Sequence, residues 1–122
     1  MIHARLNDAP LQNADPENFT LPASRHNLIT VADPPSTAVV VRFGAGGRTH
    51  WHRHPSGQYI YVIEGEGRLA GRDGNVATLL PGDTVFTHPY EEHWHGASTE
   101  QGVVHLALSF GETEWLGPVD GA

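Results

Sequence analysis

The sequence predicts an all-β fold, a sandwich or barrel of eight or nine short strands in a single domain. Fourteen glycines and nine prolines are scattered without a period along the 122 residues, a distribution typical of many tight turns between short strands. No long stretch free of both residue types has a clear helical apolar period, so helices are not indicated. A chain of this length can bury roughly two thirds of its unfolded surface, which is enough for one self-sufficient core.

The first half of the chain predicts four strands, as runs of β-branched and aromatic residues between turn signals. HNLITVA at 26–32 is followed by the turn DPPS, and TAVVVRF at 37–43 is followed by GAGG. RTHWHRH at 48–54 and QYIYVIEG at 58–65 are joined by the turn HPSG. The short connection predicts that these last two strands form a hairpin.

The second half predicts five more strands by the same pattern. GRLAGR at 67–72 and VATLL at 76–80 flank the turn RDGN. DTVFTH at 83–88 follows LPGD, and HWHGAST at 93–99 follows HPYEE. VVHLALSF at 103–110 follows TEQG and alternates between two faces.

Three segments follow from this pattern. Residues 1–17 are polar with two prolines, and we expect a loosely held arm that a neighbouring subunit could complete. Residues 18–118 form the predicted domain, and residues 119–122 form a short C-terminal tail. Trp115 is expected to pack rather than to act chemically, since large aromatic side chains dominate apolar burial.

Composition excludes several classes of function. The chain has no Cys, so disulfides, thiolate nucleophiles and cysteine-based metal sites are excluded. Seven basic against fourteen acidic residues give a net charge of −7, which predicts no nucleic-acid partner. The N-terminus lacks a cationic start and an apolar core, and no later apolar run is long enough to span a membrane. We therefore expect a cytoplasmic protein without a membrane partner.

Histidine must supply any metal ligands, and strand geometry restricts which histidines can share one ion. His50, His52 and His54 alternate along one predicted strand and project to the same side. At about 3.3 Å per residue, His50 and His54 lie roughly 13 Å apart, so only neighbours can pair. The predicted hairpin sets Gln58 beside His52 and His54, on one face with Ile60.

The spacing around these residues resembles the first motif of the cupin family. Gly46 precedes His52 by six residues, and Gln58 follows His54 by four, at the position where cupins usually have Glu. Gly65 follows Gln58 by seven residues and ends the motif.

The second cupin motif is also recognisable. Gly82 lies eleven residues before His93, as in the family. The sequence departs from the second motif at three positions. Proline occurs one place late, at Pro89, and Glu91 and Ala97 stand where the family usually has Gly and Asn. These departures affect loop geometry more than the metal ligands.

The resemblance runs from Phe19 to Pro118 and implies a cupin jelly-roll β-barrel. It further implies one divalent metal ion in the barrel mouth, held by the four residues His52, His54, Gln58 and His93. Cupins are usually dimeric or larger, so we expect a homodimer or homotetramer.

A narrower resemblance concerns the segments RTHWHRHPSGQ, HPYEEHWHGA, VVHLALS and TEWLGPV. They are similar to a subgroup of bacterial cupins that includes manganese-dependent hydroxynitrile lyases and carboxymuconolactone-decarboxylase-like proteins. That subgroup uses three His and one Gln, so manganese is the first expectation, with Fe, Ni, Co or Zn also compatible with these ligands.

Gln58 in place of Glu leaves neutral ligands around a doubly charged ion. Such a site attracts anionic or oxygen-bearing small molecules and acts as a stronger Lewis acid. Hydroxynitrile-lyase-like cleavage, decarboxylation or isomerisation is therefore the leading prediction, with the metal as Lewis acid and His105 as the candidate acid–base group that moves the proton. A metal-dependent dioxygenase and a non-enzymatic binding or sensing cupin remain the alternatives, because one barrel hosts unrelated chemistries.

Three residues are candidates for acid–base or substrate contacts. His105 shares a face with Ala107 and Ser109, and the matching His of the resembling lyases points toward the substrate; the alternative is a structural buried histidine. His95 faces the same way as His93, unless it lies beyond the barrel mouth. Thr49 is a candidate hydrogen-bond partner for substrate, with strand packing as the alternative.

Alternation along the strands also predicts the walls of a small, mainly apolar pocket. These wall residues are Val39, Val41, Phe43, Ile60, Val62, Ala107 and Ser109.

Overall fold

Thirteen strands form two antiparallel sheets in the computed structural model, which describes residues 1–120. They are β1 Leu11–Asn13, β2 Phe19–Thr20, β3 Ala23–Ala32, β4 Pro35–Phe43, β5 Arg48–Thr49, β6 Trp51–Arg53, β7 Gln58–Gly65, β8 Gly67–Gly71, β9 Val76–Leu79, β10 Thr84–Thr87, β11 His93–Ala97, β12 Val103–Phe110 and β13 Glu114–Gly117. One 3-10 helix spans Leu6–Asp8. The predicted all-β fold is confirmed, and no helix among residues 1–120 has the length and apolarity to cross a membrane.

The first sheet has the strand order β1-β3-β4-β12-β7-β10. Its central strand β12 alternates between fully buried and half-buried residues, because one face points into the barrel. The register with β4 and β7 aligns inward-facing residues in rows across the three strands. From the site end inward, these rows are Thr37–Ser109–Gln58, Val39–Ala107–Ile60, Val41–His105–Val62 and Phe43–Val103–Gly65.

The second sheet follows the order β13-β6-β11-β5-β2, with β8 and β9 attached alongside β11. All five residues of β11 are buried, since this strand lies between the others. A Cβ atom on Gly96 would overlap the carbonyl oxygen of Gly47, so this close approach of β11 to the chain before β5 requires glycine.

The glycines at the ends of the motifs have a conformational role. Gly65 has φ +87°, and a side chain there would overlap the carbonyl oxygen of Gly102. Gly82 has φ +89° in the turn before β10. Both positions lie in the left-handed region that side chains disfavour.

The hydrophobic core fills the interior of the barrel at the level of Val41 and Phe43. Its buried members are Ala14, Phe19, Ala23, Val41, Phe43, Val62, Leu79, Ala97 and Val103. The core therefore fills one end of the barrel and leaves the other end to polar side chains.

The strands at 58–65 and 103–110 have the predicted bounds. The predicted strand 48–54 is instead two strands separated at His50, whose backbone N–H donates to Asn18 O at 2.8 Å. This break lets Thr49 and His52 both line the barrel interior, so His50 does not share the face of His52 as strict alternation predicted.

Three short strands were not predicted: β1, β2 and β13. β1 lies in the predicted arm and pairs with β3, so part of this segment is an edge strand rather than a loose arm. The domain limits at 18 and 118 stay predictions, and residues 121 and 122 of the predicted tail lie outside the described residues.

Candidate metal centre

A cavity of about 100 Å³ opens at the polar end of the barrel, between the two sheets. Its lining residues come from both sheets and from the segments next to β6 and β13. They are Phe19, Arg25, Thr37, Val39, Val41, Thr49, His52, His54, Gln58, His95, Ala107, Ser109, Thr113 and Trp115.

Three buried histidines converge beside this cavity, and two of them, His52 and His95, line it. His52, His93 and His95 each offer a ring nitrogen, and these atoms all lie within 4.8 Å of one another. The register explains the convergence, because His93 of β11 lies directly opposite His52 of β6 and His95 faces the same side two residues later.

The rings of His52 and His93 are both oriented by backbone carbonyl groups. His52 Nδ1 lies 2.9 Å from His50 O, and His93 Nδ1 lies 2.8 Å from Glu91 O. Each Nδ1 therefore carries the proton and donates it to a carbonyl. This leaves the lone pair on Nε2, which is the arrangement found in metal-binding histidines.

His54 has a comparable arrangement. Its Nδ1 is 3.2 Å from Thr113 Oγ1, and its Nε2 is buried without a hydrogen-bond partner among residues 1–120. With the proton on Nδ1 and donated to the Thr113 hydroxyl, Nε2 has a lone pair whose burial without a partner is costly. In that tautomer the atom is suited to an electrophile that the protein itself does not provide.

Gln58 supplies the oxygen donor. Its amide Nε2 donates to Ser109 Oγ at 2.9 Å, which turns Oε1 toward His93 Nε2 at 3.2 Å. A neutral His93 has only one N–H and cannot donate to both Glu91 O and Gln58 Oε1. Two lone pairs therefore face each other, an arrangement that a cation between them would stabilise.

Burial keeps these imidazoles neutral. It lowers the pKa of His52 and His95 well below the usual value, and that of His93 to a lesser degree. Burial, with the nearby His93 as the second cause, lowers the pKa of His54 to about 4. Neutral imidazole is the form that binds a metal ion.

The donor set fits a divalent first-row ion, because imidazole nitrogen and amide oxygen suit Mn, Fe, Co, Ni and Zn.

His95 differs from the four residues predicted as ligands. Its Nδ1 is buried with no partner among the described residues, whereas a ligating His almost always donates its other nitrogen to an orienting group.

The three acid–base or substrate candidates lie at different depths. His95 lines the cavity. His105 lies behind His95, with the centroids of the two rings 5.0 Å apart, and does not line the cavity. Both ring nitrogens of His105 are buried without partners in the described part of the chain. Thr49 lines the cavity, and its Oγ1 accepts a hydrogen bond from the His95 backbone N–H at 3.1 Å.

Only some of the residues predicted to form the pocket walls line the cavity. Val39, Val41, Ala107 and Ser109 line it. The other three do not line it, since Phe43, Ile60 and Val62 are almost completely buried. Alternation identifies the inward face of a strand but not whether another side chain covers an inward residue.

The sequence did not indicate Arg25, Thr113 or a cavity position for Trp115. Trp115 packs as predicted, with ring centroids 5.4 Å from Phe19, but it also lies 4.9 Å from His52 and lines the cavity. Thr113 precedes β13 and Trp115 lies within it, and no sequence signal indicated that either residue reaches the cavity.

The cupin domain family model matches residues 39–109. The (R)-mandelonitrile lyase of Granulicella tundricola is 42% identical over 82 residues, which are 66% of this chain and 63% of that lyase. A gentisate 1,2-dioxygenase from a Streptomyces species is 33% identical over 55 residues, 45% of this chain and 15% of that enzyme. The alignments thus span less than two thirds of either enzyme.

A solved structure, a cupin-like protein from Thermotoga maritima, has a TM-score of 0.83 at 34% identity. The match covers 88% of this chain and 85% of that protein. The predicted jelly-roll barrel is therefore confirmed.

Proposed function

We propose that this chain, which belongs to the cupin family, is a metal-dependent lyase that breaks a C–C or C–O bond of a small, oxygen-bearing substrate. One observation carries the proposal: three of the four predicted ligands line the cavity, the fourth, His93, contacts Gln58 beside it, and each has a hydrogen bond on its other side. Such orienting partners are typical of metal sites. The similarity to a mandelonitrile lyase supports the choice of reaction class.

The proposed ligands are His52, His54, Gln58 and His93, and manganese is the ion to test first, ahead of Fe, Ni, Co and Zn. When bound, a divalent ion supplies Lewis acidity that polarises a substrate oxygen. All four ligands are uncharged, so the chain does not offset the charge of the ion at the site.

We assign the proton transfer to His95. It lines the cavity, and burial, followed by the nearby His105, lowers its pKa, so its imidazole is neutral at pH 7 and can accept a proton. His95 removes the proton of a substrate hydroxyl, and the electron pair of the O–H bond forms the second bond of a carbonyl group. The C–C bond breaks at the same time, and its electron pair leaves with the departing group. His95 then returns the proton to that group, and no oxidant is needed.

His105 is proposed to act through His95 as a positioning residue. Its ring meets that of His95 edge to face, at 5.0 Å and 72°. Thr49 holds the His95 backbone from the other side. The contacts with His105 and Thr49 therefore fix the position of the reacting imidazole.

The rest of the cavity restricts substrate size and excludes water. Val39, Val41 and Ala107 form an apolar wall, and Trp115 closes the opposite side. About 100 Å³ is small beside the roughly 300–1,000 Å³ of pockets for drug-sized ligands. The substrate is correspondingly small.

The experiment is elemental analysis of purified protein, wild type beside His52→Ala and His93→Ala, followed by assays on cyanohydrins, β-keto acids and unsaturated lactones. His88→Ala is the matched control, because this exposed histidine lies outside the cavity. We expect near-stoichiometric metal in wild type and His88→Ala, and loss of metal in the other two. An empty wild-type protein after reconstitution would exclude the metalloenzyme and leave a binding or sensing cupin.

The dioxygenase alternative is supported by the similarity to gentisate 1,2-dioxygenase. Substrate-dependent oxygen uptake by the Fe(II)-loaded protein, without turnover of the lyase substrates, would favour it.

We also propose a homodimer or homotetramer. Tyr59, Tyr61 and Ile63 of β7 are each nearly half exposed on the outer face of the first sheet. Phe86 of β10 extends this face, with its ring centroid 4.8 Å from that of Tyr59. A second copy would remove this apolar surface from water.

A further inference from the structure

Arg25 is the one charged residue among those that line the cavity. The other lining residues are apolar, hydroxyl-bearing, amide or histidine side chains, and no carboxylate of residues 1–120 is among them. A cavity of this composition has a positive potential even before any metal ion is considered.

The sheet register explains why an arginine faces inward. Arg25 of β3 pairs with Val41 of β4, and paired residues on neighbouring strands point to the same face. Val41 lines the cavity, and the neighbouring inward pair, Ala23 and Phe43, is buried in the core. Arg25 is thus built into the inner face of the sheet.

The guanidinium group has no protein anion as a partner. Arg25 Nε is buried without a hydrogen-bond partner, and no ion pair joins Arg25 to an acidic group of the described residues. By contrast, Arg42, Arg53 and Arg72 each form an ion pair with a glutamate. In a chain with fourteen acidic residues, an inward arginine without a carboxylate partner leaves its hydrogen-bonding fork available to a ligand.

From this arrangement we infer that Arg25 binds the carboxylate of the substrate, which is a small hydroxy or oxo monocarboxylic acid. The inference rests on the proposed lyase function. A guanidinium group recognises a carboxylate through two parallel N–H···O bonds. With the carboxylate at Arg25, the hydroxyl or carbonyl oxygen of so small a molecule faces the histidine cluster across the same cavity.

The test measures binding of two isosteric probes, 2-hydroxyisobutyrate and 2-hydroxyisobutyramide, by titration calorimetry to metal-loaded and metal-stripped protein. The variants are Arg25→Gln, Arg25→Lys and, as the matched control, Arg42→Gln, whose arginine lies outside the cavity. We expect wild type and Arg42→Gln to bind the acid at least tenfold more tightly than the amide. In the metal-stripped protein, Arg25→Gln should lose this preference while its amide affinity stays unchanged, and Arg25→Lys should retain part of it. The metal content of both variants as purified should equal that of wild type.

Equal affinity of wild type for both probes, or a preference that persists in metal-stripped Arg25→Gln, would overturn the inference. Should Arg25→Gln fail to fold, the acid-to-amide ratio of Arg25→Lys decides, since an unchanged ratio would exclude recognition by the guanidinium fork. Metal content after reconstitution and lyase turnover, measured beside the titrations, separate the two proposals. A preference that depends on Arg25 in a protein that binds no metal would refute the lyase proposal alone, whereas a metal-loaded lyase indifferent to Arg25→Gln would refute the inference alone.

Discussion

Gln58 and His93 are in direct contact at the candidate metal centre, with Gln58 Oε1 3.2 Å from His93 Nε2. Both atoms direct lone pairs to the same point, because Ser109 and the Glu91 carbonyl orient the opposite ends of the two side chains. This relationship yields the first prediction.

Gln58→Glu is expected to strengthen metal binding by about tenfold, because a carboxylate adds a negative charge at the ion. The same charge weakens Lewis acidity, so lyase turnover should fall despite full metal occupancy. Metal affinity by competition with a chelator, together with steady-state kinetics, checks both effects. Gln101→Glu, an exposed glutamine outside the cavity, is the control. Weaker metal binding in Gln58→Glu would argue against Gln58 as a ligand.

His54→Ala and His95→Ala should have different effects. His54 is oriented by Thr113, whereas His95 Nδ1 has no partner among residues 1–120, so loss of metal is expected only for His54→Ala. His95→Ala should retain metal and lose about 10²–10⁴-fold in turnover, the usual contribution of a general acid–base group. Metal per chain and turnover, measured on the same samples, separate the roles, and metal loss in His95→Ala would identify it as a ligand instead.

His105 should make the stability of the metal-stripped protein depend on pH. Burial lowers the pKa of His105 to about 4, below the value of about 6.5 in the unfolded chain. The unfolded state therefore binds more protons, and the stabilising contribution is fully present above pH 6.5 and lost as pH falls toward about 4.

For one such group, the free energy of unfolding should fall by about 2 kcal/mol between pH 7.5 and 4.5. Urea unfolding of His105→Gln should show a pH dependence smaller by about that amount. The imidazole of His95, which packs against His105, contributes in the same direction and remains in the variant. An unchanged pH dependence would show that His105 is not the responsible group.

Tyr61→Glu is expected to dissociate the oligomer. The change places a charge in the apolar outer face of the first sheet, where burial against a second copy would be unfavourable. Light scattering after size exclusion measures the mass directly. Val76→Glu, an equally exposed apolar position on β9, should leave the mass unchanged. A monomeric wild-type protein would refute the homodimer or homotetramer.

Strand alternation and motif spacing were sufficient to predict much of the site from sequence. They led to the barrel, to the bounds of β7 and β12, and to the neighbourhood of His52 and Gln58. These features are local, because side-chain direction along a strand and the length of a hairpin turn follow from nearby residues. The depth of inward residues is not local, which is why alternation could not separate the buried Phe43, Ile60 and Val62 from residues that line the cavity.

The sequence by itself determined the fold class and which residue types are available for a metal centre, since both depend on periodicity and composition. Only the tertiary structure decided that His105 lies behind His95, and that Arg25 and Trp115 line the same cavity. Those residues come from strands far apart in the chain, and cross-strand register and sheet packing, not spacing along the sequence, bring them together.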